Sequence, residues 1–200
     1  MGTENKFVEA MQIYLNENGV IDGAADDNIM TPAFLYGTSH ANQRIESWWS
    51  ILRKHCSQYW MNLFSQLRNE GQFTGNFVDK SILQYCFMDL IQEELNSVAL
   101  EWNSHLIRRN RRSICPPGRP DVLFNFPEIH DARDYLIQIR EQNLQICEQE
   151  CLFPDCPCID KDIHDLCEIL SVELSISKPV DPIDGLGKYV QLRHEILSLL

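Results

Sequence analysis

Three sets of residues in this sequence have the types and spacing to do chemistry. Glu46 closes the segment Asn42-Gln43-Arg44-Ile45-Glu46, just after the small turn Gly37-Thr38-Ser39 and at the start of a helically spaced apolar run. A carboxylate on a first helical turn is placed to ligate a divalent cation, and the helix dipole alone also favours one there. Five arginines, Arg108, Arg109, Arg111, Arg112 and Arg119, stand between Ser104 and Pro120 with no acid among them. Such a patch supplies phosphate contacts; its plainer reading is pairing with acidic segments elsewhere in the chain or with solvent. Cys147, Cys151, Cys156, Cys158 and Cys167, with His164, are zinc-ligand types, but Cys156-Pro157-Cys158 is tighter than a Cys-x2-Cys knuckle and the rest is irregular. Buried reduced thiols, and no structural zinc, are therefore expected. No Cys/His or Ser/His nucleophile pair and no Gly-rich phosphate loop accompanies them.

The elements that must position these groups are helical. Phe7, Val8, Met11, Tyr14 and Leu15 recur at three- and four-residue spacing, and Asn18-Gly19 closes that helix. Residues 17–31 read as an acidic loop, and Ala33-Phe34-Leu35-Tyr36 as one short strand. From Asn42 the positions Ile45, Trp48, Trp49, Leu52, Cys56, Tyr59, Trp60, Leu63, Phe64 and Leu67 predict one long helix or two joined ones, with Asn42, Glu46 and Arg53 on one face and Ile45, Trp49 and Leu52 towards the core. After Gly71 and Gly75 a second long helix is predicted from about Asp79 to His105, through Ile82, Cys86, Phe87, Leu90 and Trp102. All four tryptophans, Trp48, Trp49, Trp60 and Trp102, fall on apolar faces. Pro116-Pro117-Gly118-Arg119-Pro120 predicts an extended strap over residues 110–130, followed by helices near 131–150, 160–175 and 184–200.

Composition bounds the rest. The chain has 200 residues, 44% of them apolar, enough for one good core, and no run approaches the 18 apolar residues of a spanning helix. No signal peptide is read at the N-terminus, so the eight cysteines are expected in a reducing, intracellular setting. The net charge of −12 argues against a general nucleic-acid binder. The acid is uneven: residues 141–200 hold 4 basic and 12 acidic side chains, so the arginine patch survives as a locally positive stretch.

Asn42-Gln43-Arg44-Ile45-Glu46, Trp48-Trp49, Leu52-Arg53, Trp102-Asn103-Ser104-His105-Leu106-Ile107-Arg108 and Pro117-Gly118-Arg119-Pro120-Asp121 resemble the transposon-derived integrase core family. This family is RNase H-like, with an Asp-Asp-Glu triad. Gly2-Thr3-Glu4-Asn5 is similar to the segment that follows its second aspartate; Glu4 and Asn5 read equally as a helix start. The resemblance covers about residues 2–140 and puts Glu46 at the third acidic position, with both aspartates upstream of Met1. In such enzymes clustered carboxylates hold two Mg²⁺ or Mn²⁺ ions that activate the attacking oxygen and stabilise the leaving one. With one carboxylate, Glu46 would be a vestige.

The expectation is a mainly α protein: an incomplete RNase H-like integrase core with at most one or two short strands (1–140), then an acidic, Cys-rich helical tail (141–200). As a function this implies a truncated integrase-core protein that is catalytically inactive by itself, binds no cofactor, and holds DNA weakly and without sequence preference. A nuclear location follows from the resemblance. The alternative is a helical protein-interaction module, its partner covering the face of the missing sheet. Joint exposure of Phe7, Met11, Phe34 and Ile45 would favour that alternative.

Overall fold

The computed structural model describes residues 3–20, 32–34, 43–109, 111, 116–132, 137–151 and 158–199. The chain is mainly α-helical, and among the described residues there is no sheet, only two isolated antiparallel bridges, Val20 with Ile139 and Ile107 with Gly118. By its contacts the chain forms two compact units: one of residues Met1–Arg44 and Leu123–Pro154, the other of Ile45–Val122 and Asp155–Leu200. That division follows packing, whereas the boundary at residue 140 expected from sequence is one of ancestry.

The second unit is built on a helical hairpin. Its first arm is α2 (Gln43–Leu52), a wide π-type turn (Arg53–Ser57) and α3 (Gln58–Asn69); its second is the 28-residue α4 (Phe77–Ser104). The arms run antiparallel, since Trp48 stacks on Trp102 (centroids 4.8 Å apart), Trp60 donates its indole N–H to Glu94 (2.5 Å), and Phe64 meets Phe87 edge-on (5.4 Å). The π-type turn keeps the first arm in register. Trp48, Leu52, Cys56 and Trp60 recur every fourth residue, and in an uninterrupted α-helix each such step overshoots a full turn by about 40°. A wider turn at Cys56, which is buried, absorbs the drift. The 3.6-residue spacing put Trp49 towards the core; with the stripe running through Trp48 instead, Trp49 is 53% exposed. Trp60 is buried and Trp48 and Trp102 are half-buried.

Two C-terminal helices, α7 and α8 (defined below), cover the N-terminal half of α4. The hinge of this packing is Asp79, fully buried in the first turn of α4. Asn76 caps that helix by accepting the Asp79 N–H (2.7 Å), while the Asp79 carboxylate accepts the Thr74 N–H (2.7 Å), the Thr74 hydroxyl (2.8 Å) and the Arg193 Nε–H (2.8 Å). Tyr189 adds a hydrogen bond from its hydroxyl to the Gln72 carbonyl (2.9 Å). Burial pushes the Asp79 carboxyl up, and the bonds from Arg193 and Thr74 outweigh it, holding the group below its ordinary value. Gly185 permits the close approach of the last helix to α4: a Cβ there would lie 2.7 Å from Cε1 of Phe87, whereas one at Gly187 meets nothing.

In the first unit, α1 (Thr3–Tyr14) runs into a π-type turn (Leu15–Gly19), so the helix ends at Asn18-Gly19 as expected. Gly19 sits against Ile139, with its carbonyl accepting the Arg140 N–H (2.7 Å), and Tyr14 accepts from Asn143 (3.1 Å). The expected strap over 110–130 is in part helical: α5 (Pro120–Asn125) and a 3-10 turn (Pro127–His130) occupy it, because Pro120 is at home on a first helical turn. The helix expected near 131–150 is confined to α6 (Glu141–Gln149), with residues 137–140 extended before it. The last two expected helices are α7 (Lys161–Glu173) and α8 (Pro182–Leu199). The described part of the expected strand, Pro32 to Phe34, is not a strand; Leu35, Tyr36 and the acidic loop from 21 to 31 lie outside the described residues.

Two predictions test this packing. Gly185→Ala should destabilise the protein by about 1–3 kcal/mol through the clash with Phe87, while Gly187→Ala, on the same helix, should leave it unchanged or stabilise it by about 0.5–1 kcal/mol; urea denaturation compares them. Asp79→Asn should cost about 3 kcal/mol at neutral pH, since Arg193 loses its buried partner. The folded carboxyl titrates below the unfolded value of about 3.9, so its stabilisation is complete above that value and fades as the pH falls through the folded one. The difference between parent and Asp79→Asn should accordingly shrink below about pH 4.

Candidate nucleic-acid interface and acidic position

The arginine patch is organised by the end of α4. His105 leaves the helix in an extended conformation, with its ring nitrogen against the Trp102 carbonyl and its ring 4.2 Å from the Trp102 ring. The chain then passes Ile107, which exchanges both backbone hydrogen bonds with Gly118 (2.9 and 3.1 Å). This pairing brings Arg108 and Arg119, eleven positions apart in sequence, to diagonal places on a two-stranded ribbon, on the side opposite Ile107 by the alternation of extended chains. Arg108, Arg109, Arg111 and Arg119 are all exposed, and among the described residues none of them is ion-paired. Arg112 lies outside the described residues. Guanidinium groups held this close repel one another unless an anion lies between them. The carbonyl end of α4 lessens that repulsion, being the negative end of the helix dipole.

Glu46 is exposed in the first turn of α2 and its backbone carbonyl accepts the Ser50 hydroxyl (3.2 Å). Asn42, expected on its face, is outside the described residues; Arg53, the third residue of that face, is exposed and donates to Gln58 (3.3 Å). Among the described residues no three His, Cys, Asp or Glu side chains converge to hold a metal ion, so those residues do not supply a two-ion site around Glu46. Glu4 and Asn5 lie in the first turn of α1.

The cysteines are dispersed. Cys147 is buried in the first unit and its carbonyl accepts the Cys151 thiol (3.3 Å). Cys167 is buried in the core of the second, with Cys158 and His164 in the same unit. Cys156 is outside the described residues. Burial pushes the Cys167 thiol up to about 11, so it stays protonated.

Residues 6–117 match the integrase core domain, more than half of the chain. This chain belongs to the integrase core family. The match takes in Glu46, the hairpin with its four tryptophans, and Arg108, Arg109, Arg111 and Arg112; Arg119 follows two residues beyond it. No curated protein and no solved structure matches the chain. Among the described residues of this integrase core protein, no helix is long and apolar enough to cross a membrane.

Sequence reasoning missed one group. Lys188 is buried on the inner face of α8 with Gly185, Tyr189, Leu192 and Ile196, and it meets Tyr85 from α4. The one available signal was a lysine within an apolar stripe, since its partners lie about a hundred residues away in sequence.

Proposed function

We propose that this chain is an integrase-core protein that holds DNA through the ribbon at the end of α4 without cutting or joining it. The observation that carries this reading is the exposed, unpaired set of Arg108, Arg109, Arg111 and Arg119, gathered by the Ile107–Gly118 pairing. Four cations at one end of a rigid helix can neutralise successive phosphates, with the peptide backbone fixing their spacing. The rest of a chain of net charge −12 repels a polyanion, so binding is weak, indifferent to sequence and steep in salt. Glu46 is the only triad position that the resemblance assigns to this chain, and a lone exposed carboxylate does not offset the repulsion of two divalent ions. On this reading residues 1–140 are of integrase-core ancestry, 141–200 an acidic tail, and the setting is nuclear.

The interaction-module alternative draws on the exposed apolar side chains Phe124, Phe126 and Ile129. The face that would have favoured it most is not open as a whole: Phe7 is 70% exposed, but Met11, Phe34 and Ile45 are half-buried.

A titration of labelled duplex at about 50 and about 200 mM salt checks the first reading. Replacing Arg108, Arg109, Arg111 and Arg119 by Ala should weaken binding at least about tenfold at the lower salt and lower the log–log salt slope by about 3. Unchanged affinity would remove the ribbon from the interface and leave the interaction module as the better account. With Mg²⁺ or Mn²⁺ present, strand cleavage and joining should stay at background for both the parent and Glu46→Gln; activity that vanishes in the Gln variant would make Glu46 a working ligand.

A further inference from the structure

Within the second unit, the N-terminal half of α4, α7 and the segment 175–179 enclose a cleft of about 650 Å³, with Lys188 of α8 contributing to its wall. The volume falls in the range of small-molecule sites. One side is apolar, formed by Met88, Leu90, Val172 and Ile176, and the other presents Tyr85, Glu168, Ser171 and Lys188. Lys188 is only 7% exposed. Its ammonium stands 4.7 Å over the Tyr85 ring and donates to the phenol oxygen at 3.4 Å, while the phenol O–H donates to Glu168 at 2.7 Å and lies 3.3 Å from the Ser171 hydroxyl. Among the described residues no carboxylate comes within ion-pair distance of Lys188. The other lysine of the cleft, Lys178, is paired with Asp89 at 2.7 Å.

A buried ammonium without a counter-ion is costly, and one aromatic face with one long hydrogen bond offsets only part of that cost. The neighbouring groups do not turn the cluster into a reaction centre. Burial raises the Tyr85 phenol, and Glu168 raises it further against the opposing bond from Ser171, so it remains a hydrogen-bond donor. The Cys86 and Cys167 thiols behind it are raised by burial as well and are poor nucleophiles. What remains is one buried cation and one buried hydroxyl beside an apolar wall.

We propose that this cleft binds a small organic carboxylate, its apolar body against Met88, Leu90, Val172 and Ile176 and its carboxylate on the Lys188 ammonium and the Ser171 hydroxyl. Inorganic anions lack the apolar body, and a neutral ligand leaves Lys188 without its charge partner. Glu168 is exposed, so its charge is screened by solvent and opposes the ligand only weakly.

The test uses the full chain, with 4-phenylbutyrate as the probe and 4-phenylbutanol as its uncharged counterpart, followed by calorimetry or by chemical-shift titration. Phenylbutyrate should bind saturably with a Kd of about 1 mM or below, at least about tenfold more tightly than the alcohol. Lys188→Gln should abolish that preference and Lys188→Arg should keep it. Glu168→Gln, at an exposed position that folding does not require, should tighten the carboxylate about two- to threefold by removing a like charge. Equal affinity for acid and alcohol, no binding up to about 10 mM, or weaker binding in Glu168→Gln would overturn the proposal, the last two outcomes even if the Lys188 variants fail to fold.

Discussion

The second unit depends on one buried carboxylate. Asp79 stands where three pieces of chain meet: the turn that ends the hairpin, the first turn of α4 and the inner face of α8. A fully buried carboxylate is tolerable only when its lone pairs are filled, and here two bonds come from Thr74 and one from the Arg193 guanidinium. Each bond fixes something different. The Thr74 bonds set the path of the chain into α4, and the Arg193 bond sets the rotation of α8, which brings Gly185 against Phe87 and Tyr189 within reach of the Gln72 carbonyl. Once α8 is so placed, Lys188, one residue before Tyr189, has nowhere to go but across the Tyr85 ring. The charged cleft thus follows from an ion pair on the same helix.

The hairpin transmits a second constraint to the other end of α4. Its contacts pair rising numbers on one arm with falling numbers on the other, and the pair nearest the open end is Trp48 with Trp102. That stack depends on the wide turn at Arg53–Ser57, since without it the residues before the turn would rotate away from those after it. Trp102 in turn carries His105, where α4 stops and the ribbon begins. The bulky aromatic residues of the family-matched segment therefore act as a scaffold that sets where the arginines emerge, rather than as a platform for bases.

How legible this was in the sequence varied with the range of the interaction. Helices α3, α4, α7 and α8 follow from apolar periodicity, because the cores they form are local in sequence or fed by one long stripe. Trp49 was misplaced because a 3.6-residue template cannot register an inserted wide turn, although the four-residue recurrence of Trp48, Leu52, Cys56 and Trp60 was in plain sight. The strap at 110–130 was read from its prolines as barriers, whereas Pro120 starts a helix instead of ending one. Glu46 and the arginines were found by type and spacing, but the Ile107–Gly118 pairing that joins Arg108 to Arg119 is backbone chemistry with no side-chain signature. The cleft was invisible, since Tyr85, Glu168, Ser171 and Lys188 come from three helices and share no motif.

The two ends of α4 differ in the medium around their cations, and that decides what each can do. At the C-terminal end the guanidiniums are in water, where charges are screened over about 8–10 Å at ordinary ionic strength. Each is then worth little alone, and only a polyanion presenting several phosphates at once gains appreciably from them. The same screening lets a positive ribbon persist on a chain of net charge −12, because acids farther away than that distance do not cancel it. At the N-terminal end Lys188 is shielded from water, so a single opposite charge is felt strongly but must leave its own hydration to arrive. An apolar body on the ligand helps to offset that desolvation by burying surface against Met88, Leu90, Val172 and Ile176. One helix therefore supports two unlike kinds of anion recognition, multivalent and salt-sensitive at one end, single and size-selective at the other.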